Sequence, residues 1–360
     1  MNRIIVAMLL CVVPLARAAE PIDQGPGKQP QVAISKAGHI LVTFGRDNGI
    51  YFTLSTDGGR SFAPATLVAQ PKFTPVGMRR GPRIAATKDA IVISAVVGEL
   101  GGGKDGDVIV FRSTDGGMTW ARSSRINRIE TSAREGLIGL ASDGDSRVVI
   151  TWLDDRDKGK EVYCAFSHDA GKTFADDVRV YHSPDGHVCE CCHPSAAFDG
   201  EGNCYIMFRN WLGGNRDMYV ARSTNNGRSF DPAAKLGEGA WKLNACPMDG
   251  GGIDASGKEV ETIWQRKGQI YRSNLAGAEH LLGDGTRPAI SGHLIAWIDA
   301  RRELMLCSSS DETPSSIAHE ASDPSVASNA AIDVCAFESR GHCLICVNHA
   351  TDATRPKRKR

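Results

Sequence analysis

The sequence lacks net charge and long helical patterns, and both absences narrow the classes of protein to which it can belong. Its 42 basic and 42 acidic side chains balance, which argues against a surface for nucleic acid or for an anionic membrane. The one run of like charge lies in the C-terminal segment 351–360, which we interpret as a solvated, disordered basic tail. The 39 glycines instead favour many short strands joined by turns.

An apolar run near the N-terminus is too short to span a membrane. Ile4–Leu15 falls below the roughly 20 residues that a spanning helix needs. Arg3 precedes this run, and Ala16-Arg17-Ala18 follows it as a small-x-small cleavage site. The sequence therefore predicts a signal peptide over residues 1–18, no membrane span, and a periplasmic or secreted protein in a compartment that permits disulfide bonds.

One eight-residue pattern occurs four times at nearly constant spacing. Each copy has Ser first, Asp or Asn third, Gly fifth, Ser or Thr seventh and an aromatic residue last. The copies are Ser55–Phe62, Ser113–Trp120, Ser167–Phe174 and Ser223–Phe230, whose starts lie 58, 54 and 56 residues apart (113−55, 167−113, 223−167). A fixed period of this length indicates a repeat architecture. The residue types are those of a tight hairpin turn that an aromatic side chain packs onto a sheet.

This pattern resembles the Asp-box of the bacterial neuraminidase repeat (BNR repeat), found in sialidase-like β-propellers. The resemblance implies an all-β fold, a β-propeller of the sialidase type formed by a single domain over residues 19–350, with the Asp-boxes on outer turns away from any active site. Strand pairs before each turn complete four-stranded blades. Six blades are the favoured number, and a last hairpin, Asn329–Phe337 with His342–Asn348, leaves seven open.

The innermost strands of a propeller begin around one mouth of its central channel, so residues at those positions define a candidate site. Members of the resembled family bind a substrate carboxylate with three arginines, a geometry that suits the guanidinium group. The resemblance implies Arg83, Arg134 and Arg287 for this clamp, with Glu135 nearby for acid/base work. The same arginines are also expected as rim residues that bridge neighbouring blades.

Two elements of the family are missing from this chain. The aromatic-Arg-Ile-Pro segment that carries one clamp arginine is replaced by Gln29-Pro30-Gln31-Val32, and no tyrosine follows Tyr271 to act as the nucleophile. These departures predict a propeller without true sialidase activity. The alternative is a glycoside hydrolase of the exo-α-sialidase type that acts on acidic glycans, with Glu135 or Glu190 in acid/base work.

Soft metal ligands cluster before two successive blades, and the sialidase pattern does not require them. They are Cys189, Cys191, Cys192 and His193, followed by Cys246 and Met248 at the equivalent place before the next blade. Thiolates, an imidazole and a thioether suit copper(I), and suit zinc less well. If the segment is extended, Glu190 points away from its cysteine neighbours.

The same cysteines have two other interpretations. Ten cysteines remain once Cys11 leaves with the signal peptide, and an even number in an oxidising compartment favours disulfides. Cys192 could pair with Cys246, and a bridge is also possible among Cys335, Cys343 and Cys346, which share one hairpin. The other interpretation is that the thiols are free or catalytic. We therefore predict that the channel mouth is either a copper or zinc site or a disulfide-linked platform that binds a small molecule, a glycan or a protein. We also predict that the protein is a monomer.

Overall fold

The computed structural model describes residues 20–275 and 277–349. The predicted signal peptide, residues 1–18, and the basic tail, residues 351–360, lie outside them. The described residues form 28 β-strands and no helix, so they contain no helix that could cross a membrane. The prediction of an all-β fold is confirmed.

The strands follow one another along the chain in groups of four. Their bounds are β1 Ile22–Pro26, β2 Lys28–Ile34, β3 Ile40–Arg46, β4 Gly49–Ser55, β5 Thr66–Ala69, β6 Arg83–Ala86, β7 Ile91–Val97, β8 Asp107–Ser113, β9 Ala121–Arg122, β10 Ile138–Ser142, β11 Val148–Asp154, β12 Glu161–Ser167, β13 Val178–Tyr181, β14 Ser195–Phe198, β15 Cys204–Arg209, β16 Met218–Ser223, β17 Ala234–Lys235, β18 Gly252–Asp254, β19 Glu261–Arg266, β20 Gln269–Asn274, β21 His280–Asp284, β22 Thr286–Ser291, β23 Leu294–Ile298, β24 Leu304–Ser308, β25 Asp311–Ala318, β26 Ala321–Ser328, β27 Ile332–Ser339 and β28 His342–His349.

These strands build seven antiparallel four-stranded sheets, which are the blades of a β-propeller. Blades 1 to 6 are β2–β5, β6–β9, β10–β13, β14–β17, β18–β21 and β22–β25, and blade 7 is β26–β28 with β1 as its outermost strand. The favoured number of six blades is therefore wrong, and the alternative of seven is confirmed. The predicted last hairpin, Asn329–Phe337 with His342–Asn348, corresponds to β27 and β28, the two middle strands of the seventh blade.

The blades hold together through apolar contacts between neighbouring sheets. In the described residues, seven apolar clusters are each shared by two adjacent blades, and the cluster between blades 7 and 1 joins the two ends of the ring. Three fully buried tryptophans, Trp152, Trp264 and Trp297, lie on the second strands of blades 3, 5 and 6. Burying such large side chains supplies much of the driving force for stacking the blades.

The four repeated turns join the third and fourth strands of blades 1 to 4. In the copy at Ser113, the Ser113 hydroxyl donates to Asp115 (2.7 Å) and accepts from the Gly117 amide (2.8 Å), and Asp115 accepts from the Thr119 amide (2.9 Å). The Trp120 ring packs edge-on against Phe52 of blade 1, with ring centroids 5.2 Å apart. The turns therefore fasten each blade to the preceding one.

Antiparallel pairing places these turns on one face of the propeller and the starts of the innermost strands on the opposite face, which we call the mouth face. The connections on the mouth face are unequal in length. Long segments, 70–82, 123–137, 182–194 and 236–251, enter blades 2 to 5, whereas residue 285, residues 319–320 and residue 27 enter blades 6, 7 and 1. We call the part of the mouth face formed by the long connections the tall side. The part formed by the short connections into blades 6, 7 and 1 is the low side.

Candidate metal centre and channel mouth

The connection 182–194 carries the cysteine cluster and is fixed to blades 3 and 4 by its backbone. The Val188 amide donates to the Lys160 carbonyl (2.8 Å), and the Cys189 amide donates to the Arg209 carbonyl at the end of β15 (3.0 Å). Glu190 is exposed between two buried cysteines, in agreement with the expected alternation. The segment thus turns its thiols toward the protein and its carboxylate toward solvent.

Three thiols lie together beneath this connection. The sulfur of Cys189 is 3.0 Å from that of Cys192 and 3.8 Å from that of Cys191, and the three atoms all lie within 4.8 Å of one another. Their residues are between 0% and 6% exposed. Three thiolates around one ion, each about 2.3 Å from it, stand roughly 4 Å apart. The cluster therefore needs only a small opening of the Cys189–Cys192 contact to surround a metal.

Two arginines supply positive charge to the cluster. Arg216 donates from Nη1 to the Cys189 sulfur (3.0 Å), and its guanidinium lies over the Trp211 ring. Burial alone would raise the pKa of Cys189, but hydrogen bonds from Cys191 and Cys192 and the charges of Arg209 and Arg216 hold it well below its usual range. The cluster therefore stabilises negative charge on sulfur, which both metal binding and thiol chemistry require.

The connection 236–251 brings a fourth thiol and a thioether to the same place. Met248 packs against the three cysteines, and Cys246, two residues before it, lies close to Cys191. Cys246 is exposed, unlike the other three. The expected pairing of Cys246 with Cys192 does not match this arrangement, since Cys246 approaches Cys191 and Cys192 approaches Cys189.

His193 is buried, but its ring nitrogens do not join the three converging thiols. Its side chain is 5% exposed, and its Nδ1 has no hydrogen-bond partner among the described residues. Burial, together with the nearby charges of Arg79 and Arg83, holds the pKa of His193 well below its usual range. The imidazole is therefore neutral and lies outside the group of converging sulfur atoms. The ligand set that remains consists of sulfur alone.

The three arginines expected to form a carboxylate clamp have separate partners. Arg83 is 7% exposed and donates to the backbone carbonyls of Arg79 (2.5 Å), Gly81 and Pro82 (3.2 Å each). Arg134 pairs with Asp155, and Arg287 pairs with Asp323 through Nη1 (3.0 Å). Each guanidinium thus has partners within the protein.

Glu135 is similarly occupied. One of its carboxylate oxygens accepts from Arg80 (3.2 Å), and the other pairs with Lys160 (3.1 Å). Arg80 also donates from Nε to the Glu135 carbonyl (2.5 Å). Glu135 therefore braces the connection between blades 2 and 3.

A cavity of about 640 Å³ on the low side of the mouth contains residues that the sequence analysis did not single out. Asp323 and Glu338 line it, together with Arg287 and Lys28. Asp323 is 5% exposed, and its Oδ1 has no partner in the part of the chain that the structure describes. Burial and the nearby Asp323 charge raise the pKa of Glu338. Only the pairing of β26 with β27, in which Ser322 faces Glu338, brings these two carboxyl groups together.

Fold and site together define a seven-bladed β-propeller of the sialidase type with a buried thiol cluster at its mouth. No protein-family model and no curated protein matches the chain. Among solved structures, an α-L-arabinanase of Penicillium chrysogenum is similar at 12% identity and a TM-score of 0.57, covering 91% of this chain and 97% of that one. The intramolecular trans-sialidase of Ruminococcus gnavus is similar at 10% identity and a TM-score of 0.55, covering 94% and 98%.

An α-L-arabinofuranosidase of Fusarium graminearum is similar to the same degree, at 10% identity and a TM-score of 0.56, covering 94% of this chain and all of that one. At this level of identity the likeness shows a shared fold, and function has to be argued from the site. The fold-level resemblance to sialidase-like propellers is thereby confirmed.

Proposed function

We propose that this protein binds copper(I) through the thiols of Cys189, Cys191 and Cys192. The observation that carries the proposal is the convergence of three buried sulfur atoms within 4.8 Å, with no nitrogen or oxygen ligand among them. Copper(I) favours soft sulfur ligands in low coordination, whereas zinc favours four ligands in a tetrahedron. When bound, the ion would replace the thiol protons and draw the sulfurs into one coordination shell.

The surrounding charges support the same proposal. Three thiolates and one monovalent ion carry a net charge of −2, and a buried charge of this kind is costly unless it is compensated. Arg216 contacts Cys189 directly, and the fully buried Arg209 lies close enough to lower the pKa of the same thiol. Two fixed cations therefore balance the charge of the loaded centre.

The test is a titration of the reduced protein with copper(I) in competition with a chromophoric copper(I) chelator. We expect a single equivalent to bind per chain, and none to bind when Cys189, Cys191 and Cys192 are all replaced by serine. Cys346→Ala, which removes a buried thiol of blade 7 far along the ring, serves as the matched control and should bind as the original chain does. Equal copper binding by the triple variant would contradict the proposal.

A second candidate function is glycoside hydrolysis at the cavity on the low side of the mouth. Most glycoside hydrolases use two carboxyl groups, one of which has a raised pKa and acts as the acid. Asp323 and Glu338 offer such a pair, and the raised pKa of Glu338 favours the acid role. The exo-α-sialidase type in particular has less support, because Tyr271 lies on the third strand of blade 5 and donates to Gln269.

Chromogenic aryl sialosides and aryl arabinofuranosides test this candidate. We expect any hydrolysis to be abolished by Glu338→Gln and unaffected by Glu303→Gln, whose carboxylate pairs with Arg301 at the surface. If neither substrate is hydrolysed above the uncatalysed rate by the unaltered protein, the candidate fails.

We also propose that the protein is exported, on the strength of the positively charged and apolar N-terminal pattern with its small-x-small site. The expected mature N-terminus is Ala19. N-terminal sequencing of the protein from an extracytoplasmic fraction checks this, and recovery of the chain with an intact Met1 only from the cytoplasm would contradict it.

A further inference from the structure

The fourth thiol of the centre differs from the other three in its exposure. Among the described cysteines, Cys246 alone is exposed, while Cys189, Cys191 and Cys192 are covered by protein. Met248 of the same connection packs on the cluster, and Cys246 lies two residues before it, close to Cys191. One thiol is therefore open to solvent while it lies beside the buried thiols.

The backbone around Cys246 is held at two flanking points. On one side, the Leu243 amide donates to the Gly214 carbonyl (3.3 Å), and Arg216 donates to the Leu243 carbonyl (3.1 Å). On the other side, the Asp249 carbonyl accepts from Arg209 (3.0 Å), and its carboxylate accepts from the Arg287 amide (2.7 Å). Cys246 thus lies in a short segment between two hydrogen-bonded positions. It is close to the cluster and lies outside the β-strands.

Metal transfer between sulfur ligands requires an incoming thiolate to reach the ion before an outgoing one departs. Sulfur atoms that are covered by protein cannot meet a donor in solution directly, because no donor group reaches them without opening the connection. Cys246 satisfies both conditions of an intermediate ligand, since it is accessible from outside and neighbours Cys191.

We propose that Cys246 is the exchange ligand through which copper(I) enters and leaves the buried thiols, so that the centre takes copper from, and returns it to, thiolate–copper(I) complexes. A copper–sulfur bond to Cys246 forms as one bond to the donor thiolate breaks, and the proton of Cys246 passes to the departing thiolate. Copper stays monovalent throughout. The ion then moves to Cys191 and its two neighbours, whose protons are released in turn. This inference rests on the proposed copper binding.

The test measures transfer rates and equilibrium binding separately, with a copper(I)–glutathione complex as the donor and a chromophoric chelator as the acceptor. For Cys246→Ser we expect retained binding, with affinity reduced about tenfold, at the low end of the loss typical of outer-shell substitutions. We expect transfer in both directions to slow by at least about tenfold, because the intramolecular ligand that held the ion near the cluster is lost. Asn244→Ser, another exposed change in the same connection, should leave both quantities unchanged.

Each outcome has a distinct meaning. Equal transfer rates in the original chain and in Cys246→Ser would overturn the exchange role while leaving copper binding intact. A folded Cys246→Ser variant that binds no copper would also overturn it, because Cys246 would then be a permanent ligand. If the unaltered chain binds no copper(I), the proposed function itself fails. Alkylation of Cys246 in the copper-loaded protein provides a second measurement that requires no refolding, and it should slow release in the same way.

Discussion

Arg216 donates a hydrogen bond to the sulfur of Cys189 at 3.0 Å, so that a charged side chain from blade 4 contacts the thiol cluster. The same guanidinium lies 4.5 Å from the centre of the Trp211 ring and donates to the Leu243 carbonyl. Arg216 therefore links the two connections 182–194 and 236–251, and it places positive charge beside the Cys189 sulfur.

Replacing Arg216 with glutamine should weaken copper(I) binding about 10- to 100-fold, because the thiolate of Cys189 loses its charged partner. The pKa of Cys189 should rise, so the loss should be largest at low pH and smaller at high pH. Competition titrations across a range of pH measure both effects. Arg222→Gln is the control, since Arg222 lies over Tyr205 rather than at the cluster; a similar loss in that variant would contradict the assignment.

Mild oxidation should join the four thiols in the pairs that the structure brings together. We expect Cys189 to bond with Cys192, whose sulfurs are 3.0 Å apart, and Cys191 to bond with Cys246. Peptide mapping after treatment with oxidised glutathione identifies the pairs. A predominant Cys192–Cys246 bond, as the sequence suggested, would contradict the arrangement, and copper loading before oxidation should suppress both bonds because it occupies the sulfurs.

The stability of the fold should decline as pH rises through the ionisation of Glu338. Its pKa is raised from 4.5 by burial and by Asp323, so the folded state holds this proton more tightly than the unfolded chain does. The stabilisation is fully present below the unfolded pKa and is lost as the pH rises through the folded pKa. Glu338→Gln should remove this dependence, which denaturant unfolding between pH 4 and pH 7 measures. An unchanged pH profile would show that Glu338 does not contribute.

Two adjacent glycines in the repeated turn of blade 2 should respond differently to alanine. Both have positive φ, 75° at Gly116 and 92° at Gly117, but an added Cβ meets open space at Gly116 and lies 2.3 Å from Phe52 at Gly117. Gly116→Ala should cost about 1 kcal/mol of unfolding free energy. Gly117→Ala should cost a further 1–3 kcal/mol, approximately, because it also forces blades 1 and 2 apart. Equal losses would mean that this contact does not secure the blades.

The repeat predicted most of the fold because its spacing is carried by local residues. The turn motif and the alternating strands before it are short-range features. They correctly identified blades 1 to 4 as four-stranded β-sheets. Two strands of blade 7 lacked such signals. Ser322–Ser325 interrupts the alternation of β26 with a shift of register, and β1 belongs to a blade whose other strands lie at the opposite end of the sequence.

The candidate site was predicted only as far as neighbouring residues determine it. The spacing of Cys189, Cys191 and Cys192 placed their sulfurs together, whereas the ring of His193, the next residue along the chain, does not join them. The partners of Arg83, Arg134 and Arg287 depend on side-chain direction and on contacts between blades, which periodicity does not encode. Asp323 and Glu338 meet only through strand register, so no sequence pattern marked them.

The closing strand β1 makes the propeller depend on both ends of its sequence at once. Ile22 pairs with Ile345, and the carboxylate of Asp23 contacts the His342 ring across a separation of 319 residues. The segment that is synthesised first must therefore wait, unpaired, until β28 has been made. Bringing such distant segments together slows folding and leaves sheet edges open meanwhile. We expect the ring to close only after the chain is complete through blade 7, and we expect the clustered thiols between blades 3 and 4 to come together before that closure.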